Sequence, residues 1–153
     1  MVYETSAIAR YVDAAFPGVR LVPEDAQAQG RMQQVISIVD SYGYWPMVRQ
    51  VFAHAVFRPS AAADAAEIRE GLAGSSAVLR ALEPLVEGRW IVGDRLSLAD
   101  LHLGPMMAYF VAAREGAAML ADYPRLTGWW GHMRGRGFMV ASDPGLPLRG
   151  VGR

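Results

Sequence analysis

Cysteine and lysine are both absent from the 153 residues. Without cysteine there are no disulfides, no thiolate metal sites and no cysteine nucleophile in the chain. Without lysine all 15 basic side chains are arginine. With alanine abundant and the arginines scattered, this reads as the bias of a GC-rich coding sequence rather than an arginine-specific role. The longest apolar run, 103–113, falls far short of the ~18 residues that span a bilayer. No basic stretch opens the chain as a signal peptide would, so the expectation is a cytoplasmic protein. The 15 basic side chains are matched by 15 acidic ones, leaving no overall field to recruit nucleic acid or a membrane surface. The three histidines, His54, His102 and His132, have no partner histidine at helical spacing, and no metal site is expected. There is no G-x-S-x-G, P-loop or dinucleotide fingerprint, no internal repeat and no sustained strand-like alternation.

What remains is 52% apolar and 20% charged, the composition of one folded domain with a substantial core. Its periodicity is helical throughout. Residues 4–16 form an amphipathic helix with Ile8, Tyr11, Val12, Ala15 and Phe16 on one face, capped by Thr5 or Ser6 and stopped by Pro17-Gly18. A long helical run over 25–58 carries Pro46 inside it, which predicts a kink near 42–45 or two helices in line. Residues 64–85 read as a helix whose small residues Gly71, Ala73, Gly74, Ser75 and Ser76 admit a close neighbour. A turn is expected at Glu115-Gly116, then a short helix over 117–122. Pro124 suits the first position of a further helix.

Residues 88–112 are the stretch around which the rest is organised. Ser97-Leu98-Ala99-Asp100 is a capping box: Ser97 accepts from the Asp100 N–H while the Asp100 carboxylate accepts from the Ser97 N–H. Leu96 and Leu101 are placed as a hydrophobic staple. Leu98, Leu101, Pro105, Ala108 and Val111 recur at helical spacing with apolar flanks, the pattern of a buried central helix.

Three segments resemble, in the same order, those of the glutathione S-transferase family. Residues 88–100, GRWIVGDRLSLAD, resemble the G-x-x-x-x-G-D-x-(L/F)-S-x-A-D segment that opens the central helix of its C-terminal domain. Glu4-Thr5-Ser6-Ala7-Ile8-Ala9-Arg10-Tyr11 is similar to E-S/T-x-A-I-x-x-Y, the last helix of its thioredoxin-like N-terminal domain. Residues 123–129, YPRLTGW, resemble Y-P-x-L-x-x-W after the central helix.

The resemblance implies an all-α, glutathione S-transferase C-terminal-like helical bundle, with most of the thioredoxin-like α/β domain absent. On that basis 1–18 is a remnant of the thioredoxin-like domain, 19–24 a linker, 25–142 the helical domain and 143–153 a tail. It implies glutathione as co-substrate, its γ-glutamyl end held by Glu4 and Thr5. That is chemically sensible, since a helix N-terminus attracts a carboxylate. It implies an apolar wall for a small electrophilic substrate at Tyr42, Tyr44, Trp45 and Met47, on the long helix that also builds the family's dimer interface. The family reaction is attack of the glutathione thiolate on an electrophile, its thiol pKa lowered from about 8.5 by an activating Tyr, Ser or Cys. That activator lies outside this chain, so no catalytic residue is assigned within it. The bare apolar face of the first helix predicts a homodimer or higher oligomer. Two other readings stay open: a non-catalytic assembly module, and an inactive incomplete gene product.

Overall fold

The structure is a computed structural model that describes residues 1–145; the expected tail lies outside the described residues beyond its first three. Every regular element among them is helical, and none is long and apolar enough to cross a membrane. Helix α1 (Thr5–Ala15) begins one residue earlier than a Thr5 cap would place it: Glu4 holds the cap position and its side chain makes no capping bond. Residues 19–24 are tied through the backbone of Leu21. The Leu21 N–H donates to Asp13 Oδ1 at 2.6 Å, and the Leu21 carbonyl accepts from the Leu98 N–H at 3.2 Å.

Helix α2 (Ala26–Ile38) is capped by Asp25, which accepts from the Ala28 N–H. It continues as π-helix over Val39–Gly43 and Trp45–Phe57, ending with the Arg58 N–H on the Ala53 carbonyl at 2.8 Å. The expected interruption near 42–45 is therefore a change of hydrogen-bond register that sets in at Val39, ahead of Pro46. A widened turn absorbs a residue that has no N–H to donate. Helix α3 (Ala65–Leu82) is capped by Asp64 and packs along this π-helical stretch. A Cβ on Gly71 would lie 2.7 Å from Gln50 Cβ and 2.9 Å from the Pro46 carbonyl oxygen. The small residues of α3 are thus what allow the two backbones to meet.

Helix α4 (Leu98–Ala112) is the buried centre. Its most deeply buried apolar residues are Ala99, Leu103, Met107 and Phe110. The stripe of Leu101, Pro105, Ala108 and Val111 is only partly buried and Pro105 is exposed. Apolar residues on all sides give no asymmetry from which to choose a face, and packing made the choice. Each fully buried Leu, Met or Phe side chain here contributes about 1.5–3 kcal/mol. The turn expected at Glu115-Gly116 lies earlier, at the extended residue Ala113, and both residues sit inside α5 (Arg114–Leu120). Helix α6 (Pro124–Met133) has no side-chain cap of its own. Glu83, in the 3-10 turn that ends α3, supplies it, accepting from the N–H groups of Arg125 at 2.9 Å and Leu126 at 3.0 Å. A five-residue helix, α7 (Gly137–Ala141), follows.

Candidate functional site

Glu4 and Thr5 are exposed at the open N-terminus of α1. Glu4 has φ +72° and is the one non-glycine residue with positive φ among the described residues. Such a conformation costs about 1–3 kcal/mol and persists only where the surroundings hold it. Here its carbonyl accepts from the Ile8 N–H at 2.9 Å, and its side chain makes no capping bond. The result is a carboxylate and a hydroxyl beside unpaired helix N–H groups. Behind them Ile8, Tyr11, Val12 and Phe16 are all exposed, and only Ala9 of α1 packs on the core as a partly buried apolar residue.

The four residues expected to wall the substrate site do not come together. Tyr42 and Trp45, 68% and 61% exposed, line a groove of about 670 Å³ against Ala73, Gly74 and Ala77 of α3. Tyr44 is exposed outside that groove. Met47 requires correction: it is 1% exposed, its sulfur under Gly43, where a Cβ would stand 3.8 Å from it. The change to π-helical register ahead of these residues decides which of them turn inward.

A second cleft, of about 640 Å³, contains none of the four. It is lined by Phe52, Pro105, Tyr109, Trp130, Arg134 and Met139 together with the segment after α7. The Phe52 and Tyr109 rings lie 4.8 Å apart. Of these residues the sequence singled out only Pro105, as part of the apolar stripe of the central helix. The cleft joins the long helix, α4, α6 and α7, four stretches that no local pattern brings together.

The capping box closes through its carboxylate. Asp100 Oδ2 accepts from the Ser97 N–H at 2.9 Å and from the Ser97 hydroxyl at 2.8 Å. Asp100 Oδ1 accepts from the Ile91 N–H and from the Trp129 Nε1–H, each at 2.9 Å. This 0% exposed carboxylate joins the 88–97 loop, α4 and α6. The histidines are dispersed. His54 Nδ1 accepts from the Asp64 N–H at 3.1 Å. His102 is buried with Nε2 3.6 Å from Asp40. His132 lies against Trp90.

The family described as glutathione S-transferase, C-terminal domain, matches residues 44–136. The chain is 25% identical over 151 residues to glutathione S-transferase F13 of Arabidopsis thaliana, covering 95% of this chain and 68% of that protein. It is 27% identical over 141 residues to glutathione S-transferase 1 of Triticum aestivum, covering 85% of this chain and 61% of that one. The chain thus spans about two thirds of the length of these curated relatives. A glutathione S-transferase from Methylobacillus flagellatus KT, solved with GSH bound, has the same fold at TM-score 0.70 and 23% identity, over 92% of this chain and 68% of that one.

Proposed function

Since this chain belongs to the glutathione S-transferase family, we propose that it serves a glutathione-dependent transferase as the helical part, binding glutathione at Glu4 and Thr5. The observation that carries the reading is the positive-φ Glu4 at the open start of α1. Its carboxylate suits the α-amino group of the γ-glutamyl residue, and the Thr5 hydroxyl with the helix N–H groups suits the neighbouring carboxylate. The reaction on this reading is attack of the glutathione thiolate on a small electrophile, with the thiol activated by a group these 153 residues do not supply.

The electrophile's apolar wall fits the Phe52, Tyr109 and Trp130 cleft better than the Tyr42 and Trp45 groove. The cleft offers three aromatic side chains around one space, whereas α3 contributes mainly small side chains to the groove, with Glu70 and Val78 beside them. The groove and the bare face of α1 then serve as surfaces for a second copy or a companion domain.

Titration calorimetry with reduced glutathione tests the binding claim. Wild type is expected to bind, and Glu4→Ala and Thr5→Ala each to lose most of that heat while melting at the wild-type temperature. Absence of heat from wild type, or unaltered binding by both variants, would leave the assembly-module reading in its place. Self-association is tested separately: sedimentation is expected to give a dimer or larger species, and a clean monomer with α1 ordered would contradict it.

A further inference from the structure

Helix α7 is fastened by contacts at its N-cap and its middle rather than by burial, since none of its residues is buried. At its N-cap, Arg136 lays its guanidinium 5.0 Å from the centroid of the Trp90 ring. At its middle, Met139 rests on α4 at Gly104, where an added Cβ would come within 3.2 Å of the Met139 sulfur. Met139 and Val140 in turn form part of the wall of the 640 Å³ cleft. A short, unburied helix held this way sits at the low-stability end of the fold.

The same indole carries a second nitrogenous neighbour. Trp90 is 7% exposed, and the His132 ring meets it edge-on with centroids 4.8 Å apart. His132 Nε2 and Arg136 Nε are both buried atoms without a hydrogen-bond partner. The charged groups that face His132 are Arg136 at the start of α7, Arg89 on the loop, and Asp100 on α4. Burial first, then Arg136 and Arg89, hold the imidazole pKa below its ordinary value, against the opposing pull of Asp100. Asp100 offers His132 attraction at a distance but no hydrogen bond, because each of its oxygens already accepts two. An uncharged His132 therefore suits the cation–π contact beside it, and an imidazolium does not.

We propose that His132 is an acid-operated release for α7: protonation sets a second cation beside Arg136, frees the guanidinium from Trp90, and moves the Met139–Val140 wall away from the cleft. The direction follows from proton linkage. The open form has the more ordinary imidazole and binds the proton more tightly, so falling pH favours opening and rising pH favours closure. Between the two pKa values the open-to-closed ratio rises by up to about tenfold per pH unit of acidification, beginning below about 6.5. The device does not depend on what occupies the cleft, and its test uses no glutathione.

Backbone hydrogen exchange of the full chain, corrected for intrinsic rates, at about pH 7.5 and about pH 5.5, reads the release directly. The reporting amides are Val140 and Ser142, which donate to the Arg136 and Phe138 carbonyls at 3.1 and 3.0 Å. In wild type their protection is expected to fall several-fold at the acid pH while the α4 amides stay protected. In His132→Phe and His132→Asn it is expected to stay level across the two pH values, and in Arg136→Gln to be low at both. Equal loss in wild type and both His132 variants, no loss in wild type, or loss shared by α4 would each overturn the proposal. Wild type alone supplies an independent check by NMR: the His132 titration midpoint must coincide with the change in the Trp90 indole resonance, and separate midpoints would refute the coupling.

Discussion

Replacing Asp100 by alanine is expected to lower stability by about 3–5 kcal/mol, the loss typical of removing one partner from a buried charged network. The substitution leaves the N–H groups of Ile91 and Ser97 and the indole N–H of Trp129 without their acceptor in a dry interior. Asp100→Asn is expected to cost nearly as much, since its amide nitrogen would face donors where the carboxylate presents only acceptors. Total stability of a domain this size is about 5–15 kcal/mol, so the loss should shift the melting temperature by about 10–15 °C. Urea and thermal denaturation followed by circular dichroism measure it. A change below about 1 kcal/mol would mean the donors find water instead, and that Asp100 is a local cap and not a hub.

The second large effect is expected at Gly116. A Cβ there would stand 2.1 Å from the Phe110 carbonyl oxygen and 2.9 Å from its carbon. Both atoms are backbone, so no side chain can swing aside. Gly116→Ala must therefore pry α5 from the end of α4, at a cost of about 3 kcal/mol or more, the upper range of overpacking. Gly131 is the matched control: it lies within α6 with nothing within 4 Å of its Cβ position. Gly131→Ala should stabilise by about 0.5–1 kcal/mol through helix propensity alone. Equal effects in the two denaturation curves would contradict the close approach.

The elements legible in the sequence were those whose signals are local. Ser97 with Asp100, Asp25 and Asp64 each announce a helix start from within a few residues, and each stands at one in the structure. The second life of Asp100 was not legible, because Trp129 lies 29 residues away and no local pattern encodes that meeting. The register of the long helix was also hidden. One extra residue per turn from Val39 onward rotates all later side chains relative to an α-helical expectation, which is why Met47 went to the core while Tyr42 and Trp45 stayed outside. Gly116 was legible as special but for the wrong reason: a glycine beside a charged residue reads as a turn, and only the approach of Phe110 reveals it as a contact. At the candidate site, Glu4 and Thr5 were singled out through the resemblance alone, whereas the Phe52–Tyr109 cleft needed three dimensions to assemble.

The cap that Glu83 lends to α6 has a consequence for the order in which the chain folds. Ten residues that include Gly128 and Gly131 are too few and too glycine-rich to hold a helix in isolation. Their first free N–H groups are satisfied by a carboxylate 42 and 43 residues earlier, so α6 becomes stable only after the end of α3 is in place. Helical order must reach the end of α3 before it can spread to α6. In unfolding, opening the end of α3 takes the cap from α6 in the same step.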